Sequence, residues 1–192
     1  PTGGAKIKAS GISRLFQYES MAGITGLEPS HRKDYLRSGI NLIQANINNI
    51  QINEAKEVIP MIDIQYTIET EQYGNKTGNR LFIPANIFRK GFTTPDLKQR
   101  VQDIHINYGY LDTDSICLQI PEGYTIESLP KTCQVTSSFG SFSSSLMIKD
   151  KEICIIHRLL MHRGIYPKEI YKDFLEFRKQ IAAQYSSKII LK

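Results

Sequence analysis

The sequence lacks tryptophan, long apolar runs and closely spaced cysteines, and the last two absences each argue against a class of protein. Its longest apolar run, Ile153 to Ile156, has four residues, whereas a membrane-spanning helix needs about 20. We therefore expect that the chain is not embedded in a membrane. The three cysteines, Cys117, Cys133 and Cys154, show no CxxC or Cys/His spacing, which argues against a zinc site or a redox dithiol.

The odd number of cysteines leaves at least one of them without a partner in the monomer. Each lies in an apolar segment typical of a strand, where a free cysteine behaves as a small buried hydrophobe. We therefore expect buried structural thiols. Composition alone leaves open the redox compartment and the state of Cys117, Cys133 and Cys154.

The composition is that of an ordinary globular protein, with 192 residues of which 41% are hydrophobic and 22% charged. This length suits one large domain or two small ones. The net charge of +5 raises the question of a polyanionic partner. Basic residues are mixed with acidic ones, however, as in Arg32-Lys33-Asp34 and in Lys149 to Glu152. We expect a solvated surface and no nucleic-acid partner.

The N-terminal segment, residues 1–55, opens with Pro1-Thr2-Gly3-Gly4, without an initiator methionine, a basic n-region or an apolar h-region, so any signal peptide is expected elsewhere or to have been removed. We expect this start to be a cut in a longer chain. The segment belongs either to the end of an upstream domain or to the same domain as the rest. Alternation of small or apolar with polar residues predicts a strand over Ala5 to Ser10, and Met21 to Gly26 is predicted to be a flexible connection.

A short helix is predicted over His31 to Ser38 in this segment. Ser30 can accept hydrogen bonds from the first free amides of that helix. Gly39 can supply the left-handed residue that ends it.

From about Ile43 the pattern becomes that of β-strands and remains so for more than a hundred residues. The predicted strands are Ile47–Ile52, Val58–Glu69, Arg80–Ile83, Ile104–Tyr108, Ser115–Ile120, Thr132–Thr136, Phe142–Ile148 and Ile153–Leu160. Turn residues separate them, with a loop at 74–79, a β-turn at 121–123 and hairpin tips at 139–141 and 149–151. Short spacings between the last three strands predict an antiparallel meander.

A long C-terminal helix is predicted from Pro167, which fits a first helical turn, to Gln184. Its apolar stripe consists of Ile170, Phe174, Phe177 and Ile181. We expect this stripe to pack on a sheet. A final short strand follows at 189–191.

Strands first and a long helix late, without βαβ alternation, predict a mostly β fold. We expect a β-sandwich or antiparallel sheets with a short N-terminal helix and a long C-terminal helix packed on a sheet. The strand-helix segment at residues 1–55 is predicted to be one unit, and the β-sandwich with its helix at 56–192 the other.

No set of residues in the sequence predicts catalysis, a cofactor or a metal site. A nucleophilic enzyme needs a Ser or Cys, a base and a group that orients the base, and no strained elbow or protease signature frames any of the cysteines. Cys154 and His157 lie three apart on one predicted strand, so their side chains point to opposite faces. We therefore expect no catalytic residue in this chain.

Three weaker sets of candidate residues have ordinary explanations. Asp112 and Asp114 resemble a fragment of a calcium loop, but the other ligand positions are missing, and a turn or strand-entry role is predicted instead. His157 and His162, each followed by an arginine, flank the end of a strand and are predicted to be edge or surface residues. The tyrosines that could stack on sugars serve equally well as core or rim: Tyr73, Tyr108, Tyr110, Tyr124 and Tyr166.

A run of eleven residues, Ile120-Pro-Glu-Gly-Tyr-Thr-Ile-Glu-Ser-Leu-Pro130, resembles a motif of bacterial transglutaminase-like proteins. The similar segment is their C-terminal region, domain of unknown function 3858. Further similarities follow in the family's order over Arg80 to Lys192. They are a strand at 80–84, Arg100, a glycine-centred hairpin at 139–142, a strand ending near Arg158, a Tyr/Phe-patterned helix at 171–177 and a closing strand at 189–192.

The resemblance implies an accessory role. Such proteins usually carry an N-terminal β domain and a papain-like core with Cys, His and Asp before this region, and they are generally exported. The residues 77–80 look like those of a Bacteroidetes homologue. The expected function is therefore a non-catalytic domain that supports or positions the upstream core of the same polypeptide, in the periplasm, cell envelope or extracellular space. The alternative is a module that binds a cell-envelope glycan or a peptide.

Overall fold

The computed structural model describes residues 5–42, 44–88, 94–95, 97 and 100–192. Ile43, where the β pattern was predicted to begin, and the glycines at 3 and 4 lie outside the described residues.

The described residues form thirteen strands and three α-helices. The strands are β1 (Ala5–Leu15), β2 (Asn46–Ala55), β3 (Met61–Thr70), β4 (Asn75–Thr77), β5 (Arg80–Pro84), β6 (Ile104–Ile106), β7 (Tyr110–Gln119), β8 (Ile126–Ser128), β9 (Cys133–Ser137), β10 (Gly140–Lys149), β11 (Glu152–Met161), β12 (Gly164–Tyr166) and β13 (Lys188–Leu191). The helices are α1 (Phe16–Ala22), α2 (Pro29–Ser38) and α3 (Tyr171–Tyr185). Short 3₁₀ turns cover Gly23–Gly26 and Lys168–Ile170. Among the described helices, none combines the length and the apolar character needed to cross a membrane.

A seven-stranded antiparallel sheet forms the body of the molecule, in the order β2-β3-β1-β7-β11-β10-β9. The predicted meander appears at one end, where β9, β10 and β11 are neighbours. The N-terminal strand β1 lies inside the sheet, hydrogen-bonded to β3 on one side and β7 on the other. Strands from residues 1–55 and from 56–192 therefore share one sheet, while the division into two units stays a prediction.

A smaller antiparallel sheet, in the order β4-β5-β13-β8, contributes to a largely aliphatic core that we call the sheet core. Alternation along its strands directs every second side chain inward, and Leu81, Ile83, Ile189 and Leu191 are all buried. They share one cluster with buried residues of β1, β2, β3, β7, β11, α2 and the 3₁₀ turn after α1. Its fully buried members include Ile7, Ile24, Ile40, Ile62, Ile68 and Ile153.

Helix α3 belongs to a second, more aromatic cluster with the β9–β11 end of the large sheet, which we call the helix core. Its buried members are Ile104, Phe139, Phe142, Leu159, Met161, Tyr171, Leu175, Phe177 and Ile181. The predicted mostly β fold, with a short N-terminal helix and a C-terminal helix on a sheet, is confirmed.

The predicted stripe of α3 is only half correct. Phe177 and Ile181 are buried, whereas Ile170 and Phe174 are half-buried. Tyr171 is also buried at the start of the helix. The chain enters the α-helix from a 3₁₀ turn at Lys168–Ile170, with Pro167 in front of that turn, so Ile170 lies outside the α-helical stripe.

The ends of α2 also differ from the prediction. The helix begins at Pro29, so Ser30 lies inside it and Glu28 is the capping position, without a side-chain cap. Gly39 has a φ of −81° and is right-handed rather than left-handed. Residues 16–26, part of which was predicted to be a flexible connection, form α1 and a 3₁₀ turn.

The turns are as predicted in two places. The amide of Tyr124 donates to the carbonyl of Pro121 at 3.2 Å, and Gly123 has a φ of +81°, as a β-turn of this kind requires. Asp150 and Lys151 have positive φ values of 50° and 70°, which match the tight hairpin turn that joins β10 to β11. The turn between β10 and β11 explains why that part of the meander could be predicted from local residues.

Candidate functional site

A cleft opens between the inner face of the large sheet and the two N-terminal helices. Its volume is about 470 Å³, and its lining includes Gln17 of α1, Tyr35 of α2, Tyr66 of β3, and Asp112 and Asp114 of β7. Two carboxylates, phenols and an amide line one concavity, and we treat it as the candidate site.

Asp112 and Asp114 lie within strand β7 and are each 7% exposed. The predicted turn or strand-entry role is therefore wrong. Their spacing of two places both on the inner face, which they share with the buried Ile116 and Leu118. Gly11 of β1 is the residue opposite Asp114, and its missing side chain leaves space next to the carboxylate, because a Cβ there would lie 3.7 Å from Asp114 Oδ1.

A row of polar residues crosses three neighbouring strands behind the cleft. His157 of β11 pairs directly with Asp114 of β7 and, on its other side, with Ser144 of β10. His157 is 1% exposed and Ser144 is 5% exposed. The prediction of an edge or surface histidine is therefore wrong at this position, because His157 alternates into the core with Ile155 and Leu159.

Tyr185, the last residue of α3, covers this row. Its hydroxyl donates to Asp114 Oδ2 at 3.5 Å, and its ring lies 4.7 Å from the His157 ring, centroid to centroid. Phe142 lies on the imidazole from another side, with centroids 5.7 Å apart. His157 therefore lies under two aromatic rings, while the two carboxylates border the cleft.

Burial and negative charge keep the phenols of the site protonated. Burial raises the pKa of Tyr185 well above its ordinary value, and the negative charges of Asp114 and Asp112 raise it further. Burial, assisted by Asp114, also raises the pKa of Tyr66. Burial lowers the pKa of the Arg178 guanidinium, against an opposing contribution from Tyr110. At neutral pH both phenols are therefore protonated, and that of Tyr185 donates a hydrogen bond to Asp114.

Ser144, His157 and Asp114 thus lie side by side across three strands, in the order that the members of a hydrolase triad have. Their burial makes this arrangement unsuitable for catalysis. A nucleophile and its base must be able to meet a substrate, and neither Ser144 nor His157 lines the cleft. The accessible part of the arrangement consists of Asp112, Asp114 and hydroxyl groups. Such groups can bind a ligand rich in hydrogen-bond donors.

The other histidine and arginine candidates lie at the surface. His162, Arg158 and Arg163 are exposed, and His162 Nδ1 lies 3.3 Å from the carbonyl oxygen of Ser138. The structure therefore separates the two histidines that the sequence placed in one group.

The cysteines differ from the expectation of three buried thiols. Cys117 and Cys154 are directly paired residues on β7 and β11 and form a disulfide, while Cys133 is free and half-buried. Both bonded cysteines lie on the outer face and are half-buried, because they alternate with core residues such as Ile116 and Ile153. Cys154 and His157 lie on opposite faces of β11, as predicted.

An aromatic pair stands beside the cleft. Phe16, 38% exposed, stacks on Tyr108, 59% exposed, with ring centroids 4.4 Å apart and planes at 8°. Gln17 and Tyr110, their near neighbours in the chain, line the cleft. Of the other tyrosines that were candidates for sugar stacking, Tyr73 is buried and donates to the carbonyl of Pro84 at 2.9 Å.

Sequence reasoning missed the composition of this site, although part of the signal was present. In Asp112-Thr-Asp114-Ser-Ile116-Cys-Leu118 the aspartates share the period of the core residues, which places them on the same face. The same alternation runs from Ile153 to Leu159 through His157. Tyr185 gives no such signal, since only the position of α3 brings it to Asp114.

One further group of ligand-type side chains occurs in the described part of the chain. The thiol and carboxylate atoms of Cys117, Cys154 and Glu152 all lie within 4.8 Å of one another, on the outer face and apart from the cleft.

Comparison with known proteins identifies the family. No curated protein and no solved structure matches the chain. A family model described as a domain of unknown function with a solved structure, number 3858, matches residues 79–191, which is more than half of the chain. The match begins just before β5 and extends through β13, and includes the β7–β11 pair and α3. The chain therefore belongs to the family of domain of unknown function 3858.

Proposed function

We propose that the chain is a non-catalytic accessory domain of a larger, exported transglutaminase-like protein, and that it supports or positions the catalytic core of that protein. The observation that carries the proposal is the burial of His157 at 1% exposure beneath Tyr185 and Phe142. The imidazole of His157, which is paired with Asp114, is therefore part of the buried interior of this chain, where it does not contact a substrate.

The identity of the neighbour rests on the resemblance of the segment 120–130 and its following elements to the C-terminal region of transglutaminase-like proteins. The 3858 family match covers the same region of the chain, residues 79–191. The catalytic Cys, His and Asp are expected upstream in the same polypeptide.

Export is supported by the disulfide between Cys117 and Cys154. Disulfides persist in oxidising compartments such as the periplasm and the extracellular space, and they are rare in the cytosol. The proposed location is therefore the periplasm, the cell envelope or the extracellular space.

The test is reconstitution with the adjacent core of the parent protein. The core is expressed with and without this chain, and its thermal midpoint and transamidation or hydrolysis rate are compared. We expect a higher midpoint and a higher rate when the chain is attached, and binding in trans when the two are mixed. An upstream reading frame without a Cys-His-Asp core, or a core that is indifferent to the chain, would contradict the proposal.

A second candidate function, binding of a cell-envelope glycan or a peptide, is favoured by the cleft and its aromatic rim. Carboxylates that accept hydrogen bonds, next to an exposed stacked pair, match the hydroxyl and apolar faces of a sugar. Peptidoglycan and polysaccharide fragments are screened by calorimetry against the native chain and the Tyr108→Ala variant. Tyr124→Ala is the control, because Tyr124 is half-buried and does not line the cleft. No binding to any fragment would rule this function out.

A further inference from the structure

The outer face of the β7–β11 pair brings two thiol-bearing residues and a carboxylate together. Cys117 and Cys154 are directly opposite each other, with Cα atoms 4.0 Å apart. Glu152 precedes Cys154 by two residues on β11, so its side chain lies on the same face. Its Oε2 atom lies 3.7 Å from Cys154 Sγ. The three donor groups thus already stand within 4.8 Å of one another while the cysteines are joined.

These groups match the requirements of a thiophilic divalent cation. Zinc binds thiolate at about 2.3 Å and carboxylate oxygen at about 2.1 Å, in tetrahedral geometry. Tetrahedral angles at such bonds place two sulfurs about 3.8 Å apart. Rotation of the two reduced side chains about χ1 can reach this separation from directly paired strand positions. Two thiolates and one carboxylate fill three positions and leave the fourth, on the solvent side, for water.

A lysine complements the charge of this group. Lys8 of β1 is the residue opposite Cys117, and its Nζ atom lies 3.6 Å from Glu152 Oε1. A dication with two thiolates and one carboxylate has a net charge of −1, which the ammonium group offsets. The same ion pair keeps the Glu152 side chain on the cysteine side of the strand.

We propose that Cys117, Cys154 and Glu152 form a site for a thiophilic divalent cation of the zinc type when the disulfide is reduced, and that metal binding and the disulfide exclude each other. A phosphine reductant and water convert the disulfide into two thiols and a phosphine oxide. Binding of the cation then releases two thiol protons. Reoxidation by a small disulfide, which is reduced to two thiols, requires the same two sulfurs, so a bound cation slows it.

The experiment uses Co²⁺ as a spectroscopic probe and a Cys133→Ser chain, so that the free thiol does not contribute. One sample is left oxidised, and the other is reduced with a phosphine, desalted without oxygen and titrated with Co²⁺. We expect one Co²⁺ per reduced chain, with sulfur-to-cobalt charge-transfer bands and the visible bands of tetrahedral cobalt, and no such bands in the oxidised sample. A reduced sample without charge-transfer bands overturns the proposal.

Matched variants identify the ligands. In the same Cys133→Ser background, Cys117→Ser should abolish the two-thiolate spectrum, and Glu152→Gln should weaken Co²⁺ binding about 10-fold or more. Glu69→Gln is the control, because Glu69 lies on the same face in an ion pair with Lys6 at 3.3 Å. Equal affinities for the Glu152 and Glu69 variants would overturn the carboxylate ligand.

A kinetic measurement needs no substitution at Cys117, Cys154 or Glu152, so its result does not depend on whether those variants fold. The reduced Cys133→Ser chain is mixed with oxidised glutathione, with and without Zn²⁺, and the disappearance of thiols is followed after acid quenching. We expect Zn²⁺ to slow disulfide formation at least about 10-fold, since metal-bound thiolates must dissociate before exchange. Equal rates with and without Zn²⁺ would show that metal and disulfide do not compete.

Discussion

The sheet core and the helix core share one seven-stranded sheet, yet different side chains fill them. The sheet core is largely aliphatic and draws on positions from Ile7 to Leu191. The helix core is built around Phe139, Phe142 and Phe177, and apart from Ile104 its buried members lie within residues 139–181. Many small contributions stabilise the first, and a few large rings stabilise the second. Single truncations should therefore cost more in the helix core.

The largest effect is expected for Phe177→Ala. The ring is 2% exposed in the helix core, and loss of a buried phenylalanine costs about 3 to 5 kcal/mol in the free energy of unfolding. Phe174 is the matched control, since it is half-buried and contacts Phe139 edge-on at 5.0 Å. Urea unfolding should give less than half of that loss for Phe174→Ala. Equal losses would mean that the helix packs through the stripe predicted from sequence.

The disulfide clamps the strand pair that lies under both cores, and its removal should rank second. The cysteines are separated by 37 residues, and the loop-entropy model gives about 2 to 4 kcal/mol for a closed loop of this size. The double variant Cys117→Ser/Cys154→Ser is compared by urea unfolding with Cys133→Ser, which should lie close to the native chain. A double variant as stable as the native chain would mean that the bond does not constrain the unfolded chain.

Tyr185→Phe probes the junction between the cores, where α3 ends over Asp114. The variant removes the hydrogen bond to a buried carboxylate and should cost about 1 to 2 kcal/mol at neutral pH. Rescue by Asp114→Asn in the double variant would locate the effect at this contact. If the losses of the two single variants add in the double variant, the effect of Tyr185→Phe does not depend on Asp114.

The same residue should make stability depend on alkaline pH. Burial and the two aspartates raise the pKa of Tyr185 in the folded state above its ordinary value of 10.0. Protonated Tyr185 therefore makes its full contribution to the free energy of unfolding below about pH 10, the pKa of an unfolded tyrosine. That contribution is lost as the pH rises further, because the unfolded state then binds fewer protons than the folded state. The urea midpoint should fall between pH 9 and 11, and it should fall less for Tyr185→Phe.

A smaller loss is expected in the sheet core for Ile68→Val. Ile68 is fully buried, and deletion of one methyl group there should cost about 0.5 to 1.5 kcal/mol. The measurement is again the urea midpoint. Ile190→Val, at a half-buried position of β13, is the control and should cost less. A loss for Ile68→Val as large as that for Phe177→Ala would contradict the comparison of the two cores.

The smallest effect concerns Cys133, at the edge of the helix core. Burial raises the pKa of its thiol, against a lowering contribution from the backbone at Ser144. Fewer thiolates at a given pH mean slower alkylation, so the native chain should react more slowly with iodoacetamide at pH 8 than the same chain in urea. Without reductant, a thiol assay should find one reactive cysteine in urea. Three would contradict the disulfide.

The local part of the fold could be predicted because its signals span a few residues. The hairpin turns at 149–151 and the β-turn at 121–123 are specified by residues that tolerate positive φ or tight bends. The helix at the C-terminus has a clear period, but Tyr171 and Leu175 are buried where the predicted stripe had Ile170 and Phe174. A shift of one residue around the helix is enough to change the residues assigned to the core.

The site could be predicted only in part. Alternation along β7 and β11 would have placed Asp112, Asp114 and His157 on the inner face, and the same alternation would have placed Cys117 and Cys154 outside. That Asp114 stands opposite His157 depends on the register between two strands about 40 residues apart. That register depends on the packing of the whole sheet.

By itself the sequence determined the longer strands and their alternation, the turn between β10 and β11 and the presence of a C-terminal helix, because these follow from steric and hydrogen-bonding preferences within a few residues. Only the tertiary structure decided that β1 lies between β3 and β7, that Cys117 pairs with Cys154, and that Tyr185 covers His157. Those contacts join residues far apart in the chain, and they form where burial of both cores is satisfied at the same time.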